Sequence, residues 1–442
     1  MSVTLVWLRH DLRLGDNPLF QIDSTHEQLL CVYVLDQAWL IPESGLGVPR
    51  IGPARLRFLW ESLIALRGEL LKRGSDLLVR IGAPLDIVTD LVERYRVSQV
   101  RLRREAGDDE VQDGLCLAKS VGEGVEVWQA DSGLLLSEET LPVPLGALPA
   151  SFSAFRRRVE ERLAISEALP APVTLPPWPA DAPRGLPPLA QVCSKAVAWT
   201  ADARGEFHFA GGEAAGLSRL DHYMWESGAV ARYRTTRNEL RGADFSTRLS
   251  PWLAHGCLSA RQVRDALRYW EASHGANESS KWVFYELLWR DYFHWAARQE
   301  GRALFGARLL PPLGEAFLAW REGRTGVPFI DAAMHELAAT GWLSNRARQN
   351  AASFLIHDLG EDWRLGAAWF EHCLVDFDVA SNWGNWRYVG GLGRDSRERR
   401  FDVIKQAEYY DPDGTYVACW EAAGRRADQW ALGAGGAGQT AR

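Results

Sequence analysis

At 442 residues, with 47% hydrophobic side chains, the chain is long enough for two or three domains with ample cores. A formal net charge of −7 and a pI near 5.9 exclude a protein that coats nucleic acid nonspecifically, though not one with a local basic surface. The six cysteines have no CxxC spacing and the ten histidines no paired ligand spacing, which predicts reduced thiols and no structural metal. No apolar run approaches membrane-spanning length and the N-terminus runs straight into a strand, so a soluble, cytoplasmic protein is expected.

Taken in order, VTLVWL (3–8), LLCVYVL (29–35), DLLVRIG (76–82), VSQVRLRR (97–104) and VEVWQA (125–130) are short apolar runs mostly separated by helical patterns, the signature of a parallel sheet. The helical stretches 53–74 and 84–96 each begin at a proline, which suits a first helical position. Residues 1–131 therefore read as an α/β doubly wound, Rossmann-like domain without GxGxxG or Walker loop. Eleven of the 21 prolines fall between Pro142 and Pro188, which marks 132–205 as a connector interrupted by one helix over 151–168. Its Arg156, Arg157 and Arg158 read as an exposed basic face or as phosphate contacts. From 206 to 430 the pattern is helical, opening with GGEAAGLSRLDHYMWE, and 431–442 reads as a flexible tail with no long regulatory extension.

Thirteen of the 20 tryptophans lie beyond residue 251. The stretch 363–388 interleaves tryptophans with Asp376, Asp378 and Asn382, polar groups spaced to converge on one ligand, or else to serve as helix N-caps and an ion pair to Arg348 or Arg364. In WVFYELLWRDYFHW (282–295), Glu286, Trp289, Arg290 and Phe293 share one helix face. That face offers an acid, an indole and a guanidinium for a base edge, a base stack and a phosphate, or simply a Glu286–Arg290 ion pair. STRLS (246–250), ahead of a helix restarting after Pro251, can cradle a diphosphate with amides and hydroxyls.

These segments, together with VWLRHDLRLGDNP (6–18), PLGALPASFSAFRRRVE, NRARQNAASFLIHDLGEDWR and GRDSRERRFDVIKQAEYYDPDGTYV, closely resemble the photolyase/cryptochrome family over nearly the whole chain, and within it the DASH cryptochromes. The resemblance implies an α/β antenna domain followed by a helical FAD-binding domain. It implies flavin contacts at Tyr233, Ser246, Thr247, Arg248, Leu249, Ser250, Arg290, Asp378 and Asn382, the last beside the reactive flavin nitrogen, with Arg348 paired to Asp376. Glu286 and Trp289 are implied to meet the lesion, Asn345 and Arg346 to form a DNA-facing rim, and Arg237, Arg346 and the Arg394, Arg397, Arg399, Arg400 cluster to meet phosphates. Gln349 and Tyr388 stand where cyclobutane photolyases usually carry methionine and tryptophan, as is typical of the DASH branch. At Glu105 the resemblance suggests a folate antenna (5,10-methenyltetrahydrofolate), the alternative being an exposed acidic helix start.

Trp386 and Trp363 match the inner and middle members of the family's tryptophan electron route, but FGARLLP (305–311) has no tryptophan for the outer one. Either another aromatic substitutes or photoreduction is slow. The implied activity is blue-light repair of cyclobutane pyrimidine dimers, preferentially in single-stranded DNA, by a monomer that passes one electron from reduced FAD to the dimer and back. The alternatives are a light-sensing regulatory protein that binds nucleic acid or a partner without repair and, more remotely, a nicotinamide-dependent flavin reductase.

Overall fold

The structure, a computed structural model, describes residues 2–22, 27–43, 45–162, 165–306, 309–394 and 397–421. The expected tail lies outside the described residues. Five strands, β1 (Ser2–Leu8), β2 (Glu27–Asp36), β3 (Leu77–Gly82), β4 (Val97–Arg103) and β5 (Glu126–Ala130), form one sheet in the order β3-β2-β1-β4-β5 with every pairing parallel. The central strand β1 is buried from Val3 to Leu8, which is why it reads as a continuous apolar run. Helices α1 (Pro53–Lys72), α2 (Pro84–Arg94) and α3 (Asp108–Ser120) make the crossovers, the first two with proline at their starts.

The connector carries α4 (Phe152–Arg162), and residues 165–168, expected to continue it, are not helical. The backbone there is drawn off by carboxylates from distant elements: Ala168 N donates to Asp265 Oδ2 (2.8 Å) and Leu169 N to Asp16 Oδ1 (3.0 Å). Beyond it come α5 (Glu213–Asp221), α6 (Ala260–His274), α7 (Glu278–Glu300), α8 (Pro328–Thr340), α9 (Asn345–Ser353), α10 (Trp363–Cys373), α11 (Val379–Val389), α12 (Val403–Tyr410) and α13 (Thr415–Glu421). No strand follows β5 among the described residues. None of the described helices is long and apolar enough to cross a membrane.

The segment HDLRLGDNP joins the sheet to the helical half. Asp16, fully buried, takes a forked contact from Arg261 of α6 (2.7 and 3.0 Å), and the Arg13 guanidinium donates to Gly256 O (3.0 Å). Leu14 N and Gly15 N donate to the carboxylate of Glu213 at the start of α5 (2.9 and 3.0 Å). From the other side, Asp291 of α7 accepts from Leu135 N and Leu136 N (2.9 and 3.0 Å). Each buried charge is thus used to satisfy a polar group that the seam would otherwise strand.

At the far end α8 packs on α13, and Tyr416 donates its hydroxyl to the fully buried Glu336 (2.6 Å). Burial raises the Glu336 carboxyl from the ordinary 4.5 to about 7, against the Tyr416 hydrogen bond and the fields of Arg248 and Arg348. The folded protein therefore keeps a proton that the unfolded chain releases above the ordinary carboxylate range. The stability linked to Glu336 is complete below that range and is lost as pH rises to about 7, by up to about 3 kcal/mol. Urea unfolding at about pH 5 and about pH 7.5 should show this loss in the native chain and a much smaller one in Glu336→Gln, which keeps the hydrogen bond without the titration. Equal losses in both would mean that the carboxyl is ionised in the fold.

Candidate active site

A cavity of about 270 Å³ opens between the 233–250 segment, α7, α9, α10 and α11, and a second lobe of about 230 Å³ shares its Tyr233, Arg348, Asp376 and Asp378 wall. Ser246, Thr247, Arg248 and Ser250 line the first lobe, and Leu249 and Arg290 the second. The 246–250 turn is fixed from behind by Arg219 of α5. Its guanidinium holds the carbonyls of Ala243 (3.0 Å), Ser246 (3.1 Å) and Thr247 (2.9 Å) and pairs with Asp244 (2.6 Å). Arg248 adopts φ +51°, a left-handed conformation that costs a non-glycine residue about 1–3 kcal/mol. The guanidinium of Arg248 turns into the protein, donating to Gly242 O (2.7 Å) over the Trp342 ring (4.3 Å), so what this residue gives the cavity is backbone and stem.

The carboxylates take both roles their spacing allowed. Both oxygens of Asp376 accept from one Arg348 nitrogen, Nη2 (2.7 and 3.0 Å), while Arg364 pairs with Asp362 instead. Asp378 caps α11 by accepting from Ser381 N (2.7 Å). Burial pushes the Asp378 carboxyl up, and Arg290 and Ser381 outweigh it, leaving the group below its ordinary value. The Asn382 amide nitrogen donates to Ala367 O (3.0 Å), which fixes the side chain on the cavity wall.

Glu286 and Asn345 line the same cavity, as does Gln349, whose Oε1 is buried without a hydrogen-bond partner. Glu286 pairs with Arg237 rather than Arg290, which instead donates to Gly133 O (2.9 Å) and Leu253 O (3.0 Å). Burial raises the Glu286 carboxyl, against the pull of Arg237.

Trp289 and Tyr388 lie apart from this cavity, in a neighbouring cleft with Arg387, Arg394 and Arg397. Contrary to the expectation of an indole free to stack on a base, Trp289 is already stacked on Phe152 of the connector helix (3.8 Å, 14°), with Phe293 at 5.5 Å. Arg399 lies over the Tyr388 ring (3.3 Å) and donates to Tyr388 O (3.1 Å). Most of the arginines read as phosphate contacts also have protein partners. Arg237 holds Glu286, Arg346 lies over Tyr410 (4.6 Å), Arg394 donates to Leu148 O (2.5 Å), and Arg400 pairs with Asp358 (2.7 Å).

Trp386, 2% exposed, reaches the cavity wall between Phe370 (5.1 Å) and Trp320 (6.1 Å), and Trp363 lies edge-on to Trp383 (5.6 Å). Glu105 is not an exposed helix start: it is buried in the loop before α3, bonded to His10 Nδ1 (3.3 Å), with Arg103 at 3.8 Å. The sequence reading missed Arg219 and Ser381. A basic residue on the buried face of α5 was the available signal for Arg219, and the N-cap spacing from Asp378 for Ser381.

The cavity fits a ligand rich in hydroxyl, ring-nitrogen and phosphate groups, because it gathers hydroxyls, amides, a charge-compensated carboxylate and an orphaned amide oxygen. Replacing Arg348 by methionine leaves the Asp376 side chain, 2% exposed, without its partner. A loss of about 3 kcal/mol in unfolding free energy, together with loss of bound flavin on gel filtration, is the expected outcome. Undiminished stability and flavin content would show that the pair is dispensable.

Comparison with known proteins agrees with this geometry. Residues 4–176 match the family model described as DNA photolyase, and residues 282–432 the one described as FAD binding domain of DNA photolyase. A cryptochrome DASH of Gloeobacter violaceus is 42% identical over 429 residues, covering 95% of this chain and 85% of that protein. One from Xenopus laevis is 41% identical, covering 95% and 82%. The crystal structure of a Synechocystis cryptochrome superposes with a TM-score of 0.90 at 38% identity, covering 95% of this chain and 88% of that one. With both domain models matched in order and relatives this similar over nearly their full length, the chain belongs to the photolyase/cryptochrome family, in its cryptochrome DASH branch.

Proposed function

We propose that the chain is a blue-light-driven deoxyribodipyrimidine photo-lyase that repairs cyclobutane pyrimidine dimers, preferentially in single-stranded DNA. The observation that carries this reading is Glu286, an acid held by Arg237 on the wall of the same cavity that gathers Arg348–Asp376, Asn382 and Trp386. Bound FAD supplies light-driven one-electron transfer to and from the dimer. The chain's own tasks are binding and orientation. Tyr233, Thr247 and Ser250 would offer hydroxyls to the cofactor, Arg348–Asp376 would close the floor, and Asn382, its amide nitrogen held on Ala367 O, would leave its amide oxygen for the flavin ring. Glu286, its carboxyl raised by burial, and the Gln349 amide, its oxygen unpartnered, would face the lesion's base edges.

The neighbouring cleft supports the strand preference. Extruding a dimer from a duplex costs a few kcal/mol, and stacking on an aromatic returns about 1–3 kcal/mol per base. Here one face of the Trp289 indole is covered by Phe152 and one face of the Tyr388 ring by Arg399. A duplex lesion therefore gains less to offset extrusion, whereas a single strand avoids that cost. The acting unit is read as a monomer. A folate antenna at Glu105 is not part of this reading, since that carboxylate is engaged by His10 and lies beside Arg103.

The same covered faces favour one second reading, a light-sensing regulatory cryptochrome whose flavin redox change shifts a conformational equilibrium without repair. Reduced protein should repair a dimer in a single-stranded oligonucleotide under blue light and leave the duplex version largely untouched. If neither is repaired while the flavin still photoreduces, the regulatory reading replaces this one. Trp386→Phe is expected to slow photoreduction of the oxidised protein while chemically reduced protein still repairs. Equal loss of both would remove Trp386 from the electron route.

A further inference from the structure

The route that refills the flavin with electrons needs an end at the surface, and FGARLLP, where the family carries it, offers only Phe305 as an aromatic. Among the described residues, the structure brings a different indole to that end. On α11, Trp383 and Trp386 stand three residues apart and share a face. On α10, Trp363, Gly366 and Phe370 fall at i, i+3 and i+7 and share another. A β-carbon on Gly366 would lie 2.2 Å from the Trp386 ring, so that ring rests on the backbone of α10 one turn from Trp363. One turn back along α11, Trp383 meets Trp363 with 5.6 Å between ring centroids at 83°.

Burial falls along this line, from Trp386 at 2% exposed to the half-buried Trp363 and Trp383. Phe305 stands 5.6 Å from Trp383, packed on it from the missing tryptophan's side, and a phenyl ring is far harder to oxidise than an indole. The other indole beside Trp386 is Trp320, at 6.1 Å, but it is completely buried and its N–H donates to Ala351 O (3.1 Å). Oxidised there, an indole has no water to take its proton and no access to a reductant.

We propose that Trp383 is the solvent-side end of the electron route, taking the place of the tryptophan absent from 305–311. The proposal rests on the reading of Trp386 and Trp363 as the inner members. One electron leaves Trp386 for the photoexcited flavin, Trp386 is refilled from Trp363, and Trp363 from Trp383. The oxidised Trp383 indole gives its N–H proton to water and regains an electron and a proton from a thiol in solution. Two such events convert two thiols to one disulfide and leave the flavin two electrons richer.

The test uses FAD-loaded, full-length protein, with dithiothreitol as the thiol and four variants: Trp383→Phe, Trp383→Tyr, Trp363→Phe and Trp386→Phe. Flavin content and absorption spectrum report folding. Flash transient absorption should show the indole radical decaying much faster in Trp383→Phe, and steady photoreduction should fall well below the native level, though no further than in Trp363→Phe. Trp383→Tyr, which keeps an oxidisable ring, should recover part of the yield. Illumination in air without thiol, followed by peptide mass spectrometry, should place indole oxidation on Trp383 in the native chain. Native-level photoreduction in Trp383→Phe while Trp386→Phe is slow would overturn the assignment of Trp383 alone. Native-level photoreduction in Trp386→Phe would remove the route and this proposal with it.

Discussion

The close approach of α10 and α11 at Gly366 is the constraint on which most of the site depends. Because Gly366 has no side chain, the Trp386 ring can occupy the position that any β-carbon would take. That contact brings an indole to the cavity wall and sets α11 against α10 so that Asn382, one turn earlier, reaches Ala367 O. It also leaves Trp383 opposite Trp363. A helix pair separated by one more methyl group would shift each of these contacts together, since cores transmit a displacement rather than absorb it.

Around that pair, the electrostatics are compensated from within the protein. Asp376 is neutralised by Arg348, Asp378 by Arg290 and its own helix start, and Glu286 by Arg237. Buried charges are tolerable only with such partners. A consequence is that the acidic total is compatible with a nucleic-acid ligand: the charge facing the cavity is close to balanced locally, and affinity would come from a few local arginines and base contacts rather than from the field of the whole chain.

The sheet was legible because both its faces are covered, which leaves runs such as VTLVWL apolar but for Thr4, and α1 and α2 announce themselves with proline. The convergence of Asp376, Asp378 and Asn382 was legible from local spacing. The choice between ion pair and ligand site was a false one, since Asp376 is paired and lines the cavity at once. What local spacing could not carry is long-range. Phe152 reaches Trp289 across 137 positions (289 − 152), and Arg219 stabilises a turn some 25 residues downstream; neither contact has a periodic signature. The end of α4 was misread for a related reason, because Asp265 and Asp16 compete for its backbone from elements distant in sequence.

The HDLRLGDNP segment shows how a motif can be diagnostic without touching the chemistry. Its charged residues satisfy the seam: Arg13 reaches Gly256 O, Asp16 takes Arg261, and two backbone amides meet Glu213 at the head of α5. Gly256, at φ +69°, lies so close to His10 O that a β-carbon would sit 2.0 Å from it, so the two halves meet backbone to backbone. Helix α5 in turn carries Arg219, which shapes the 246–250 turn of the cavity. The sheet half therefore contributes to the site through a chain of hydrogen-bonded contacts. Disturbing Asp16 or Glu213 should reach the cavity as well as the seam, since Glu213 heads the helix that carries Arg219.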